Sequence, residues 1–241
     1  EGCYILPYCP RCSTALSNFE LNLGGYQDVQ DPSITVKFRL LDAPDTYFLA
    51  WTTTPWTLPS NLALALGPEI EYVQVADREE QYILAEERLP TYYKNPDEYR
   101  EVKRFRGKEL AGIEYEPLFP YFASLRDRGA FRTYIADYVS TEEGTGIVHT
   151  APGFGEDDYS LLKDTEVPTV CPVDGEARFT QEVSDYQGLF VKDADKPIIK
   201  DLKSRGAVVH HSTYLHAYPH CWRCTSPLVY RAISSWFVDI Q

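Results

Sequence analysis

Four of the six cysteines stand in two Cys-x-x-Cys pairs, Cys9/Cys12 and Cys221/Cys224, a spacing suited to binding a metal ion. Each such turn presents two thiolates to one ion, and two turns complete a tetrahedral zinc site with no position left for water. The metal expected is therefore structural Zn2+. Two unrelated reduced pairs or a redox dithiol would use the same residues, but neither pair sits in a thioredoxin-like context. His216 or His220 could replace one sulfur, while His210 and His211 read as an exposed loop. Cys3 and Cys171 have no partner at useful spacing and are expected as buried small side chains.

Two further segments carry more polar chemistry than a core needs. In Trp51-Thr52-Thr53-Thr54-Pro55-Trp56-Thr57-Leu58-Pro59-Ser60-Asn61 a strand rich in hydroxyls runs into a proline-constrained turn. An edge strand would explain the threonines equally well. In Gly144-Thr145-Gly146-Ile147-Val148-His149-Thr150-Ala151-Pro152-Gly153-Phe154-Gly155-Glu156-Asp157-Asp158 a strand ends at a histidine, a glycine-rich turn follows, and carboxylates open a helix. Taken alone, His149 suits a satisfied core position, and the acids suit the positive end of a helix dipole.

The elements that must position these residues are mostly strands. Ile34, Val36, Phe38 and Leu40 alternate with Thr35, Lys37 and Arg39, the period of a half-buried strand. Further strands are expected at 47–52, 63–66, 71–75, 81–85, 134–138 and 146–150, with helices at 156–163 and 197–204. The pattern predicts an α+β, β-rich fold, a β-barrel decorated with short helices. Because the cysteine pairs lie near opposite chain ends, one metal would clasp residues 1–23 and 212–241 into a zinc-ribbon-like stem, leaving 24–211 as an inserted domain.

Composition narrows the partners. The 241 residues are 44% hydrophobic and 24% charged, which excludes disorder, collagen and coiled coil. With 23 Lys plus Arg against 36 Asp plus Glu the net charge is -13, so any nucleic-acid contact must use a local patch. Lys103, Arg104, Arg106 and Lys108 around Phe105 are a candidate, although a solvated loop is the simpler reading. The longest uncharged stretch, 46–68, holds three prolines and five threonines and is no membrane span. No signal segment opens the chain and it contains no methionine, which suggests an excised piece of a longer cytoplasmic protein.

Together, the threonine segment, the His149-to-Asp158 segment and Tyr218-Pro219-His220-Cys221-Trp222-Arg223-Cys224 resemble the inserted editing domain of class I isoleucyl-tRNA synthetases. The resemblance runs from about Tyr8 to Phe237. Thr54-Pro55 distinguishes it from the valyl and leucyl enzymes, which typically carry Arg-Pro there. The resemblance implies a β-barrel inserted into a Rossmann catalytic core, within a larger monomeric synthetase, that hydrolyses valine wrongly attached to isoleucine tRNA. The His-Ile-Gly-His and Lys-Met-Ser-Lys-Ser motifs of the synthetic site are absent, so no ATP use is expected of this segment. Tyr8-Cys9-Pro10-Arg11-Cys12 looks like a zinc-binding form of a region that lacks cysteines in some relatives.

By that resemblance, His149 limits the pocket so that valine enters and isoleucine clashes, and Asp158 accepts hydrogen bonds from the substrate's α-ammonium. Thr52, Thr53, Thr54 and Thr57 orient the amino acid, the terminal ribose and the attacking water, and Trp56 and Tyr218 are candidate contacts to the adenine. A second, size-excluding site is needed because one methylene is worth only ~1–3 kcal/mol in a binding pocket, a magnitude for which this synthetase is itself the standard example. The implied partner is the 3′ end of isoleucine tRNA charged with valine, with valyl-adenylate as a second substrate. A zinc-stabilised tRNA-binding module without catalysis and a general esterase are the rival classes.

Overall fold

The computed structural model describes residues 2–235; residues 236–241, including Phe237 at the end of the resemblance, lie outside the described residues. The strands are β1 (Gly2–Cys9), β2 (Thr14–Ala15), β3 (Tyr26–Arg39), β4 (Thr46–Thr52), β5 (Ala63–Leu66) and β6 (Glu71–Asp77). They continue with β7 (Glu80–Ala85), β8 (Arg100–Arg106), β9 (Arg132–Ile135), β10 (Ile147–Thr150), β11 (Val208–Pro219) and β12 (Val229–Ser235). Helices are short except the last: α1 (Asn18–Gly24), α2 (Leu89–Tyr92), α3 (Glu156–Leu162) and α4 (Val191–Ser204).

The main sheet runs β8-β6-β7-β4-β10-β5-β9, and β4 is its fork. Thr46 to Phe48 pair in parallel with β7, Trp51 pairs with Val148 of β10, and the opposite edge of β4 pairs along its length with β3. Bridges from Arg132 of β9 to Glu114, and from Tyr115 to Leu40 beyond β3, carry the sheet round into a curled barrel. Inward residues of adjoining strands fill it: Ile34, Val36 and Phe38 from β3, Phe48 and Ala50 from β4, and Leu64 and Leu66 from β5 are fully buried. Phe38 meets Tyr115 edge to face at 5.2 Å. Each large apolar side chain so buried contributes about 1.5–3 kcal/mol relative to exposure, which fixes the strand ends that carry the polar residues.

The remainder is a ribbon and a small second sheet. β3 pairs with β11 from Val36↔Val208 out to Tyr26↔Pro219, and since its pairing with β4 stops at Ile34, Tyr26 to Ser33 form with β11 a two-stranded ribbon that leads from the barrel toward the chain ends. There β1 pairs antiparallel with β12 and β2 lies on the other edge of β1. Ser17 and Glu20 form a reciprocal cap on α1, and Glu20 also accepts from Trp222 and Arg223, tying the two ends together.

Several local expectations differ. His210 and His211 lie in β11, exposed but not in a loop. The basic run is the edge strand β8, also not a loop. The strand expected at 134–138 is Arg132–Ile135, and the helix expected from residue 197 begins at Val191. Cys3 and Cys171 are partly exposed, not buried. Among the described residues no helix is long and apolar enough to cross a membrane.

Candidate active site

β4 delivers Trp51 and Thr52 to one end of the barrel, where Pro55 stops the strand and Pro55–Ser60 forms a buried 3-10 turn. Proline at the first position suits this start, because its fixed φ matches the turn and its missing N–H would have had no partner. The threonines bond to one another across the corner. Thr54 N–H donates to Thr52 Oγ1 at 3.0 Å, and Thr54 Oγ1 lies 3.2 Å from Thr52 Oγ1 and 3.3 Å from Thr57 Oγ1. Thr57 Oγ1 donates to the Thr54 carbonyl at 2.8 Å.

β10 places His149 beside this corner, and both ring nitrogens are engaged. Asn61 Nδ2 lies 2.8 Å from His149 Nδ1 and also donates to the Ala63 carbonyl at 2.8 Å, while Tyr115 O–H donates to Asn61 Oδ1 at 2.7 Å. Those two fixed partners set the amide orientation, so His149 Nδ1 accepts. The ring proton then sits on Nε2, which donates to Thr57 Oγ1 at 3.0 Å. Burial pulls the imidazole down to about 3, so it stays neutral at any physiological pH. A ring with its one lone pair occupied and a depressed proton affinity is a poor general base. It is a rigid wall.

Asp158 stands in the first turn of α3 and accepts the Ala151 N–H through Oδ2 at 2.8 Å. Burial raises its carboxyl to about 6, the Ala151 N–H lowers it and neighbouring Asp157 raises it further. Gly155 makes room for it, since a Cβ there would come within 2.8 Å of the Asp158 carboxylate. A carboxylate held in a poorly solvated wall with one backbone donor is suited to receive a cationic ligand.

These residues share one cavity of about 440 Å³. Thr52, Thr53, Thr54, Thr57, His149 and Asp158 all line it, together with Trp51, Phe154, Tyr138 and the Glu142–Glu143–Gly144 turn. Trp56 and Tyr218 do not line it. Trp56 is buried with its indole edge-on to Phe154 at 4.9 Å, and the Tyr218 hydroxyl donates to the Leu228 carbonyl at 2.7 Å. Sequence reasoning assigned no role to Asn61 or Tyr115; the available signal was an amide two residues before the apolar strand β5, and its partner Tyr115 is 54 residues away.

The four cysteines expected at a metal also converge. The Sγ atoms of Cys9, Cys12, Cys221 and Cys224 all lie within 4.8 Å of one another, with Cys9 and Cys224 at 3.4 Å. A tetrahedral zinc–thiolate site needs sulfurs about 3.8 Å apart, so the set fits a metal ion. Burial raises the Cys9 thiol to about 12, and only a cation makes several adjacent thiolates tolerable there. Leu16, Leu21 and Leu228 pack around the cluster. His216 instead pairs with Asp31 at 3.2 Å, and the His220 ring Nδ1 lies 2.9 Å from the Tyr218 carbonyl.

Three of the four cations of the basic run pair with acids, and Lys103 lies over the Phe105 ring at 4.5 Å. Arg104 pairs with Glu86 and Glu101, both at 2.7 Å, Arg106 with Glu71 at 2.9 Å and Lys108 with Glu69 at 3.4 Å.

No protein-family model matches the chain. It is 56% identical over its full length to isoleucine–tRNA ligase of Treponema denticola, and 52% identical over its full length to that of Bdellovibrio bacteriovorus. The matches cover 25% and 23% of those relatives, so the chain spans about a quarter of the length of the curated relatives it matches. In fold it is similar to the GlLeuRS-CP1 crystal structure, with a TM-score of 0.58 and 16% identity over 75% of this chain and 98% of that one. It is also similar to the Plasmodium falciparum cytosolic leucyl-tRNA synthetase editing domain, with a TM-score of 0.55 and 9% identity over 76% and 99% of the two chains. A cavity walled by a neutral histidine, a threonine corner and a carboxylate, on a curled barrel of this topology, thus belongs to a chain that is a segment of the isoleucine–tRNA ligase family with the fold of a synthetase editing domain.

Proposed function

We propose that this chain proofreads isoleucine tRNA by hydrolysing valine from its 3′ end. One observation carries the reading: a neutral, doubly anchored His149 and the Asp158 carboxylate line the same cavity as four threonines. In this reading Asp158 holds the α-ammonium, the fixed His149 ring excludes the extra methylene of isoleucine, and the threonine hydroxyls orient the ester and a water. The water oxygen attacks the ester carbonyl carbon, the carbon–oxygen bond to the ribose breaks, and the departing ribose oxygen takes up the proton that the water loses. Valine and uncharged tRNA leave. Position and oriented dipoles supply the rate enhancement, and no protein nucleophile is used.

Zinc held by Cys9, Cys12, Cys221 and Cys224 would be structural, joining 1–23 to 212–241 as the stem that carries the 24–211 domain, with the β3–β11 ribbon crossing between them. The synthetic core, in a larger monomeric cytoplasmic enzyme, would supply most of the tRNA contacts, in keeping with the pairing of Arg104, Arg106 and Lys108 to acids. Valyl-adenylate would enter the same cavity, and this segment itself would use no ATP.

The experiment compares release of valine from isoleucine tRNA carrying free or N-acetylated valine. Rapid cleavage of the free amine, slow cleavage of the acetylated ester, and loss of that preference in Asp158→Ala are expected. Equal rates on both esters would mark a general esterase, and no cleavage of either would mark a binding module.

A further inference from the structure

The threonine turn has an amide to satisfy at its start. Pro55 has no N–H, Thr57 N–H donates to the Thr54 carbonyl at 2.9 Å, and Thr54, at the N-cap position, makes no side-chain cap. The Trp56 N–H lies between them, buried, in a position whose donor has no partner within a helical turn. Asp195, 139 residues further along the chain in α4, supplies the acceptor: its Oδ1 takes the Trp56 N–H at 2.9 Å, and the residue is 3% exposed.

Few other donors surround that carboxylate. Lys192, one turn earlier on α4, has its ammonium on Asp31 of β3 at 2.8 Å and over the Tyr218 ring of β11 at 4.5 Å, and His216 of β11 also faces Asp31. Burial raises the Asp195 carboxyl to about 7, while Lys192 and the Trp56 N–H lower it and Asp31 raises it. Burying a carboxylate at this cost is otherwise unusual, and the contact it serves is a cap on the turn beside the cavity. Two cavity walls depend on the capped residue. Its neighbour Thr57 bonds His149 Nε2, and its own indole backs Phe154.

We propose that Asp195 is a positioning residue for the hydrolytic site: by capping Trp56 from α4 it holds Thr54 and Thr57, and through Thr57 the ring of His149, in register. The inference rests on the proofreading reading for its consequence in catalysis, and on the Trp56–Thr57–His149 contacts for its structural content. Asp195 does not line the cavity and acts only through the turn.

The test uses this chain with 15N-labelled histidine, reading solvent exchange of the His149 Nε2 proton beside valine release from Val-tRNA(Ile). Losing a cap of this kind costs a contact of about tenfold in equilibrium terms. In Asp195→Ala the ring proton should therefore exchange about tenfold faster, and kcat should fall about tenfold with KM within about twofold. Asp195→Asn keeps a neutral acceptor and should lie between, at about threefold on both readouts. Far-UV circular dichroism establishes that each variant is folded. If Asp195→Ala does not fold, Asp195→Asn carries the test. Exchange and kcat at wild-type values in a folded variant would overturn the proposal. A wild-type chain that releases no valine would overturn the hydrolytic reading alone, with the exchange measurement still deciding the role of Asp195.

Discussion

Asn61 donates to His149 Nδ1 at 2.8 Å, and this contact decides what the histidine can do. It occupies the lone pair a general base would need and leaves the ring proton on Nε2, facing Thr57. The amide is oriented in turn by Tyr115, which is fully buried. Tyr115→Phe removes the donor and leaves Asn61 Oδ1 without its partner, a loss of about 1–3 kcal/mol. Urea unfolding of the wild type and the variant measures it.

His149→Ala removes the wall and, with it, the partner of Thr57 Oγ1, while the bonds of Thr57 and Thr52 to Thr54 remain available. Isoleucine should then be released from its own tRNA, and discrimination between the two esters should fall by about 10–200-fold, the range that one methylene supports. Parallel deacylation of both esters by the variant reads this directly.

In the proofreading reading, the Asp158 carboxyl, raised to about 6, should give the reaction an acid limb. Only the ionised form anchors an ammonium, so kcat/KM should rise with pH through about 6 and then level. Asp158→Asn should lack the limb and run about 10- to 100-fold lower at pH 7.5, as expected when a charge-assisted contact is lost. The folding linkage has the opposite sense. A folded-state pKa above the unfolded value near 3.8 contributes stability that is complete below that value and is lost as pH rises through about 6.

Withdrawing a metal should loosen the ends and spare the barrel. Cys9 and Cys221 are buried beside Leu16, Leu21 and Leu228, whereas the cavity residues lie on the barrel strands and the turns that follow them. A strong chelator, or Cys221→Ser, should release about one zinc per chain, as a four-thiolate structural site requires. Protection of β1 and β12 amides in hydrogen exchange should drop, and that of β4 and β5 should hold.

The barrel strands were legible because each shows the sequence pattern of its burial. Ile34 to Leu40 alternate, and Ala63–Leu66 is a short apolar run bounded by turn residues. The ribbon was not. Tyr26 to Gln30 and residues 209–213 of β11 are largely exposed, so no hydrophobic period marks them, and His210 and His211 read as loop. β8 was obscured by its charges, of which Arg104 and Arg106 reach acids on other elements. In the site, the threonines, His149 and Asp158 stood out as local motifs, and the cysteines by spacing. The roles of Asn61, Tyr115 and Asp195 depend on partners 54 to 139 residues away, which no local pattern encodes.

The central claim is that this cavity selects valine for hydrolysis, and one measurement meets it most directly. This chain is mixed with isoleucine tRNA charged with valine and, in parallel, with isoleucine, and ester loss is followed beside an Asp158→Ala control. The account predicts faster loss of valine that disappears in the Asp158 variant. Equal loss of both amino acids, or valine loss indifferent to Asp158, would contradict it.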